Sequence, residues 1–180
     1  EYRCEAAFGK LLRRKPSLRN SFQLVTKCGI KLATGKFPGQ KINHYDTSYA
    51  HIIQSAEASL THLNTDHIDL LLIHRPDPLM DPEETAKAFF ELKASGKVGN
   101  FGVSNFTPMQ FDMLNKYFGG MLVTNQVEFS PYCLEHFENG NMDFFLKQRI
   151  HPMGWSPMAG GTLLNPTDEK GKRLHKKLKE

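Results

Sequence analysis

The segment from Ile68 to Ile73 reads Ile-Asp-Leu-Leu-Leu-Ile. A run that is apolar at nearly every position suits a β-strand covered on both faces, not one alternating between core and water. Such a strand requires helices packed above and below its sheet, which constrains the chain to an α/β architecture with parallel strands. The flanking patterns agree. From His51 to Leu63, apolar residues recur at Ile52, Ile53, Ala56, Leu60 and Leu63 with the helical period. Downstream, Asp81-Pro82-Glu83-Glu84 reads as a cap, a first-turn proline and two acids at the positive end of a helix dipole, with Ser95-Gly96 closing that helix.

The same alternation extends in both directions. Glu5 to Arg14 place Ala6, Ala7, Phe8, Leu11 and Leu12 around one helical face before Pro16 stops the run, and a strand is expected at Phe22 to Lys27. A long loop follows from Gly29 to Tyr49, containing Gly35, Pro38 and Gly39; a loop of that length in a compact domain usually has a function of its own. Further strands are expected at Val98 to Val103, Leu122 to Val127 and His151 to Trp155. Helices are expected from Thr107-Pro108 through Met109 and Leu114, and from Met142 to Gln148. Five strands are thus separated by helices with no low-complexity linker, so residues 1–180 read as one domain. This order fits an open doubly wound sheet or part of a (β/α)₈ barrel, and the absence of G-x-G-x-x-G after any strand counts against the dinucleotide-binding sheet.

Composition excludes several classes. With 39% hydrophobic and 23% charged residues in 180, the chain is neither disordered nor collagen-like. No apolar run approaches the ~18 residues of a membrane span, and EYRCEAAFGK lacks a signal-peptide apolar region, so a cytoplasmic protein with no membrane partner is expected. Cys4, Cys28 and Cys133 are odd in number and widely spaced, and the histidines lack ligand spacing, so no disulfide framework or metal site is expected. Of the 23 Lys and Arg, ten lie in residues 1–41 and six between Lys170 and Lys179. The latter belong to an amphipathic helix, Asp168 to Glu180, carrying Leu174 and Leu178. No aromatic residue interleaves its lysines, which argues against a stacking platform for nucleic acid.

Reactive groups in parallel α/β folds sit at the carboxyl ends of strands, where the loops converge. The strand ends here present Lys27, His74, Ser104 with Asn105, Gln126, and Trp155 with Ser156. A cation, an imidazole, two amides and an indole suit a planar polar ligand and a polarised bond. Each also has a plain reading: Lys27 as a solvated lysine, His74 as a satisfied core histidine, Asn105 and Gln126 as turn and cap residues, Trp155 as core. Gly160-Gly161-Thr162 would let backbone approach phosphate oxygens, though Gly-Gly also serves ordinary loops.

Five blocks carry a resemblance. Thr26-Lys27-Cys28-Gly29, HIDLLLIHRPDP from His67 to Pro78, GKVGNFGVSNF from Gly96 to Phe106, NQVEFSP from Asn125 to Pro131 and GWSPMAGG from Gly154 to Gly161 resemble, in order and spacing, the blocks of aldo-keto reductases. The similarity is greatest to a bacterial branch of uncharacterised oxidoreductases, and it spans essentially the whole chain. It implies the (β/α)₈ TIM-barrel family, incomplete here at about five parallel strands with alternating helices. It also implies reduction of a small-molecule aldehyde or ketone by hydride from NADP(H), or from NAD(H). On this resemblance Lys27 corresponds to the lysine that lowers the pKa of a catalytic tyrosine, and His74 to the histidine that orients the carbonyl. Ser104, Asn105 and Gln126 match residues that bond the nicotinamide carboxamide. Trp155 takes the position of an aromatic ring stacked on the nicotinamide, and Ser156, Met158 and Gly160 lie in the loop lining the pyrophosphate.

The family's D-x-A-x-x-Y-G segment, with its tyrosine and aspartate, is expected upstream of Glu1, and Tyr2 falls about three positions too late to replace that tyrosine. Residues 1–180 alone are therefore expected to be inactive. The alternative reading is a non-enzymatic binding or assembly module built on an incomplete barrel.

Overall fold

The computed structural model describes residues 3–34, 39 and 41–180. Tyr2, Gly35 and Pro38 lie outside the described residues. The chain divides into two compact units, Glu1–Val123 and Thr124–Glu180.

In the first unit, helix α1 (Arg3–Arg14) leads through a 3₁₀ turn (Pro16–Ser21) into strand β1 (Val25–Cys28). Strands β2 (Ile30–Lys31) and β3 (His44–Tyr45) form a small antiparallel pair. Then follow α2 (Tyr49–Leu63), β4 (Ile68–Ile73), α3 (Pro82–Ala94), β5 (Val98–Ser104) and α4 (Pro108–Tyr117). Strand β4 pairs in parallel with β1 on one side and β5 on the other. In the second unit, β6 (Leu122–Glu128), which begins two residues before the boundary, pairs in parallel with β7 (Met153–Trp155). Helices α5 (Glu135–Glu138) and α6 (Asn141–Gln148) lie between them in sequence, and α7 (Glu169–Leu178) follows.

Burial explains the apolar run that opened the sequence argument. Leu71, Leu72 and Ile73 are all fully buried although they point alternately to opposite faces, so β4 is covered on both sides. On the helix side, Phe89 of α3 stacks on Phe101 of β5 at 4.3 Å between ring centroids, and Phe118, just beyond α4, meets both edge-on at 5.2 and 5.3 Å. Helix starts follow local chemistry. The Asp81 carboxylate accepts the Glu83 and Glu84 amides, and Thr107 with Gln110 forms a capping box at α4.

Three expectations shift. Strand β1 begins at Val25, not Phe22, because Phe22 ends the 3₁₀ turn and packs its ring against Phe8 at 5.4 Å. The Gly29–Tyr49 loop contains the β2–β3 pair, and α2 starts at Tyr49 with Ser48 as its cap. Strand β7 begins at Met153, since the His151 carbonyl is already taken by the Thr124 hydroxyl at 2.8 Å. Among the described residues, no helix is long and apolar enough to cross a membrane.

Candidate active site

The helix layer sets which way β1 faces. The Thr26 hydroxyl donates to Glu5 of α1 at 2.5 Å, and Ser59 of α2 donates to the same oxygen at 2.8 Å, so Thr26 points at the helices. Side chains alternate along a strand, so Lys27 lies on the opposite face. Lys27 is opposite Leu72 in the β1–β4 register. His74, two residues beyond Leu72, therefore shares the Lys27 face. The His74 amide donates to the Cys28 carbonyl at 2.9 Å, extending the ladder past the end of β4 and fixing where the imidazole starts.

Both groups are half-buried, and the Lys27 charge acts on His74. Burial holds the Lys27 ammonium below its ordinary pKa, with the Arg75 guanidinium adding to the effect. His74 is lowered by burial first, then by Lys27 and by Arg75, which favours its neutral form. The Lys27 ammonium makes no hydrogen bond or ion pair among the described residues. Arg75 was quoted in sequence only as part of a motif; its position directly after His74 was the available sign of its influence. Cys28, between Lys27 and the turn, is fully enclosed, and burial pushes its thiol up to about 12, so it stays protonated.

At the end of β5, Ser104 is buried and its hydroxyl accepts a hydrogen bond from the Asn105 amide at 2.7 Å. Asn105 has a left-handed backbone (φ 60°), a conformation asparagine tolerates better than most residues. Asn105 is not the helix cap, because Thr107 fills that role for α4. Of the plain readings the sequence offers, the cap is excluded for Asn105, while a turn fits its left-handed backbone.

The second unit carries the remaining candidates. Gln126 lies two residues inside the end of β6, not at its end, and is opposite Met153. Trp155, the last residue of β7, is opposite Glu128, so Gln126, Glu128, Met153 and Trp155 share one face. Both Gln126 and Trp155 are half-buried.

The segment after Trp155 is made of left-handed turns. Ser156 (φ 54°), Ala159 (φ 49°), Gly160 (φ 63°) and Gly161 (φ 95°) all have positive φ. The Ser156 hydroxyl accepts the Gly160 amide at 2.9 Å, and the Gly161 amide donates to the Met158 carbonyl at 3.0 Å. These two amides therefore brace the turn itself. A Cβ added at Gly160 or Gly161 would meet nothing within 4 Å, which leaves open space against the backbone there. Met158 is exposed beside it. Among the described residues no group of three or more His, Cys, Asp or Glu side chains could hold a metal ion.

With the parallel βα units and this strand-end set in place, comparison with known proteins identifies the class. The model of the Aldo/keto reductase family matches residues 2–180, and the chain belongs to that family. It is 51% identical over 173 residues to the uncharacterized oxidoreductase YcsN of Bacillus subtilis, covering 96% of this chain and 58% of that protein. It is 48% identical over 164 residues to a 6-dehydroglucose reductase of Agrobacterium fabrum, covering 91% of this chain and 55% of that protein. Among solved structures, the glycerol dehydrogenase AKR11B4 from Gluconobacter oxydans superposes with a TM-score of 0.78 at 27% identity, over 92% of this chain and 48% of that one. The fold class is therefore that of the (β/α)₈ barrels, with five parallel strands in this chain. The chain spans about half the length of the curated relatives it matches.

Proposed function

We propose that the protein reduces aldehydes or ketones by hydride transfer from NAD(P)H, with NADPH the expected donor and NADH an alternative. The observation that carries this reading is the placement of Lys27 and His74 on one face, at the carboxyl ends of adjacent parallel strands, with burial and neighbouring positive charge lowering both pKa values. The family match and a reductase among the relatives support it.

When bound, the reduced nicotinamide supplies the hydride; everything else falls to side chains. His74, biased toward its neutral form, donates a hydrogen bond that orients the carbonyl oxygen without delivering a full charge. Lys27 makes the proton of a tyrosine available near neutral pH, against an ordinary phenol pKa of about 10. That tyrosine belongs to the D-x-A-x-x-Y-G segment of the family, outside residues 1–180. Ser104, Asn105 and Gln126 bond the carboxamide, Trp155 stacks on the ring, and Ser156, Met158 and Gly160 line the pyrophosphate. The fit of such a group rests on the open space beside Gly160 and Gly161, where backbone and anion can approach closely. One family match runs through both compact units, which supports treating residues 1–180 as one partial-barrel domain. The reading places the protein in the cytoplasm with a small carbonyl compound as substrate, and with neither nucleic acid nor membrane as partner.

Two measurements test it. NADPH absorbance followed with an aromatic aldehyde should show turnover for the full natural chain and none for residues 1–180 alone; no turnover by the full chain, or robust turnover by residues 1–180, would overturn the assignment. Trp155 is the sole tryptophan, so its emission reports directly on stacking. Saturable quenching by NADPH is expected, and unchanged emission at saturating NADPH would remove the stacking role.

A further inference from the structure

The left-handed turn at 156–161 is braced by its own hydrogen bonds and runs directly into a segment anchored on α7. Non-glycine residues with positive φ, here Ser156 and Ala159, persist only where surrounding contacts impose them. The chain just beyond the turn is tied to α7, and the start of α7 is tied in turn to the loop after β6. His175 of α7 meets the Leu163 carbonyl through Nδ1 at 2.7 Å, and Leu163 is buried. Asp168, the cap of α7, accepts the Gly171 amide at 2.6 Å and the Tyr132 hydroxyl at 2.6 Å on the same oxygen. Lys170 closes the arrangement, donating to the Tyr132 carbonyl at 3.0 Å with its ammonium 5.2 Å from the centre of the Tyr132 ring.

Gly171 shows that this contact is built into the sequence. A Cβ at that position would lie 1.9 Å from the Tyr132 hydroxyl oxygen, 2.8 Å from the Pro166 Cβ and 2.9 Å from the Asp168 oxygen. Any side chain there would expel the phenol. The sequence pattern of 168–180 predicts an amphipathic helix and does not link it to Tyr132.

We infer that Tyr132 and Asp168, with Gly171 making room for them, form a clasp that holds the 156–165 segment in its left-handed conformation and thereby sets the affinity for the pyrophosphate of the cofactor. This rests on the reading above that Ser156, Met158 and Gly160 line that pyrophosphate. Tyr132 and Asp168 are positioning residues: they act through the loop and touch neither substrate nor cofactor. A loop already in its bound conformation loses less entropy on binding, so opening the clasp weakens affinity without removing any direct contact.

The test uses the full natural chain and its Tyr132→Phe, Asp168→Ala and Asp168→Asn variants. Amide hydrogen exchange is measured across 156–165, with α2 and β4 as controls, and NADPH affinity is measured by fluorescence. Tyr132→Phe and Asp168→Ala should accelerate exchange in 156–165 alone and weaken NADPH binding about three- to tenfold, the scale of one typical net hydrogen bond. Asp168→Asn keeps an acceptor oxygen for both donors and should stay near wild type, which a role in bulk charge would not allow. Unchanged exchange in Tyr132→Phe would overturn the clasp. Faster exchange with unaltered NADPH affinity would overturn its link to the cofactor. A wild-type protein that binds no NADPH, with exchange still accelerated by Tyr132→Phe, would locate the failure in the cofactor reading and support the clasp as a structural element.

Discussion

The two ends of the β1–β4 pair treat charge in opposite ways. At the amino end, Asp69 accepts the Arg19 guanidinium at 2.6 Å and the Leu24 amide at 2.7 Å, while Arg19 also reaches Thr65 and the His67 carbonyl. Burial alone would raise the Asp69 pKa, but the Leu24 amide and the Arg19 charge outweigh it and hold it low. At the carboxyl end, Lys27 and His74 face each other and the Arg75 charge, and each is pushed toward its neutral form. The amino end holds its carboxylate in the charged form, while the carboxyl end shifts Lys27 and His74 away from theirs. In barrels of this kind the amino face carries stability and the carboxyl face carries chemistry, and local cost at the second is what a site for anionic or polarised groups requires.

The largest effect expected is on activity. Lys27→Met and His74→Ala should each lower kcat/KM for NADPH-dependent aldehyde reduction by about 10² to 10⁴, the usual contribution of a proton-handling group. Steady-state kinetics of the full natural chain check this, and a loss below tenfold for both would dissolve the functional half of the contrast. Next comes Asp69→Ala, which strips a partly buried guanidinium and a strand amide of their acceptor; urea unfolding should show a loss of about 2 kcal/mol with little change in NADPH affinity.

The pH dependence separates the ends further. Asp69 has a folded pKa below its unfolded value, so its stabilisation is present above about 4 and disappears as pH falls through the folded pKa. His74 is lowered too, so the stability linked to its neutral form is complete above about 6.5 and fades as pH drops through its folded pKa. Unfolding midpoints from pH 3 to 8 should therefore fall in two windows, with Asp69→Asn flattening the lower and His74→Gln the upper. The smallest effect belongs to an exposed ion pair: Lys97 and Glu57 are both exposed, and Lys97→Met should change stability by less than about 0.5 kcal/mol.

Much of this contrast could be read before any coordinates. The unbroken apolar run located β4 and the 3.6-residue period located α2, and caps such as Asp81 and Thr107 placed helix starts because the acceptor and its amides are neighbours in sequence. Lys27, His74, Ser104, Asn105 and Trp155 were legible as strand ends for the same reason. Phe22 misled because an apolar residue beside a strand looks like part of it, whereas its ring belongs to a contact with Phe8. Asp69 sat unexplained inside an apolar run, since its partner Arg19 is 50 residues away. Tyr132 and Asp168 are 36 apart, and no local period links them. Long-range polar pairing leaves no periodic trace, so the compensated end and the clasp became visible only in three dimensions.

The central claim is that the carboxyl end is held in its charged arrangement against stability, and urea unfolding of Lys27→Met at neutral pH tests it most directly. Methionine keeps the length and apolar stem of lysine while removing the charge that burial and Arg75 oppose. The account predicts an unfolding free energy equal to or above that of the wild type. A loss as large as that of Asp69→Ala would contradict it, because Lys27 would then be a stabilising residue like those at the amino end.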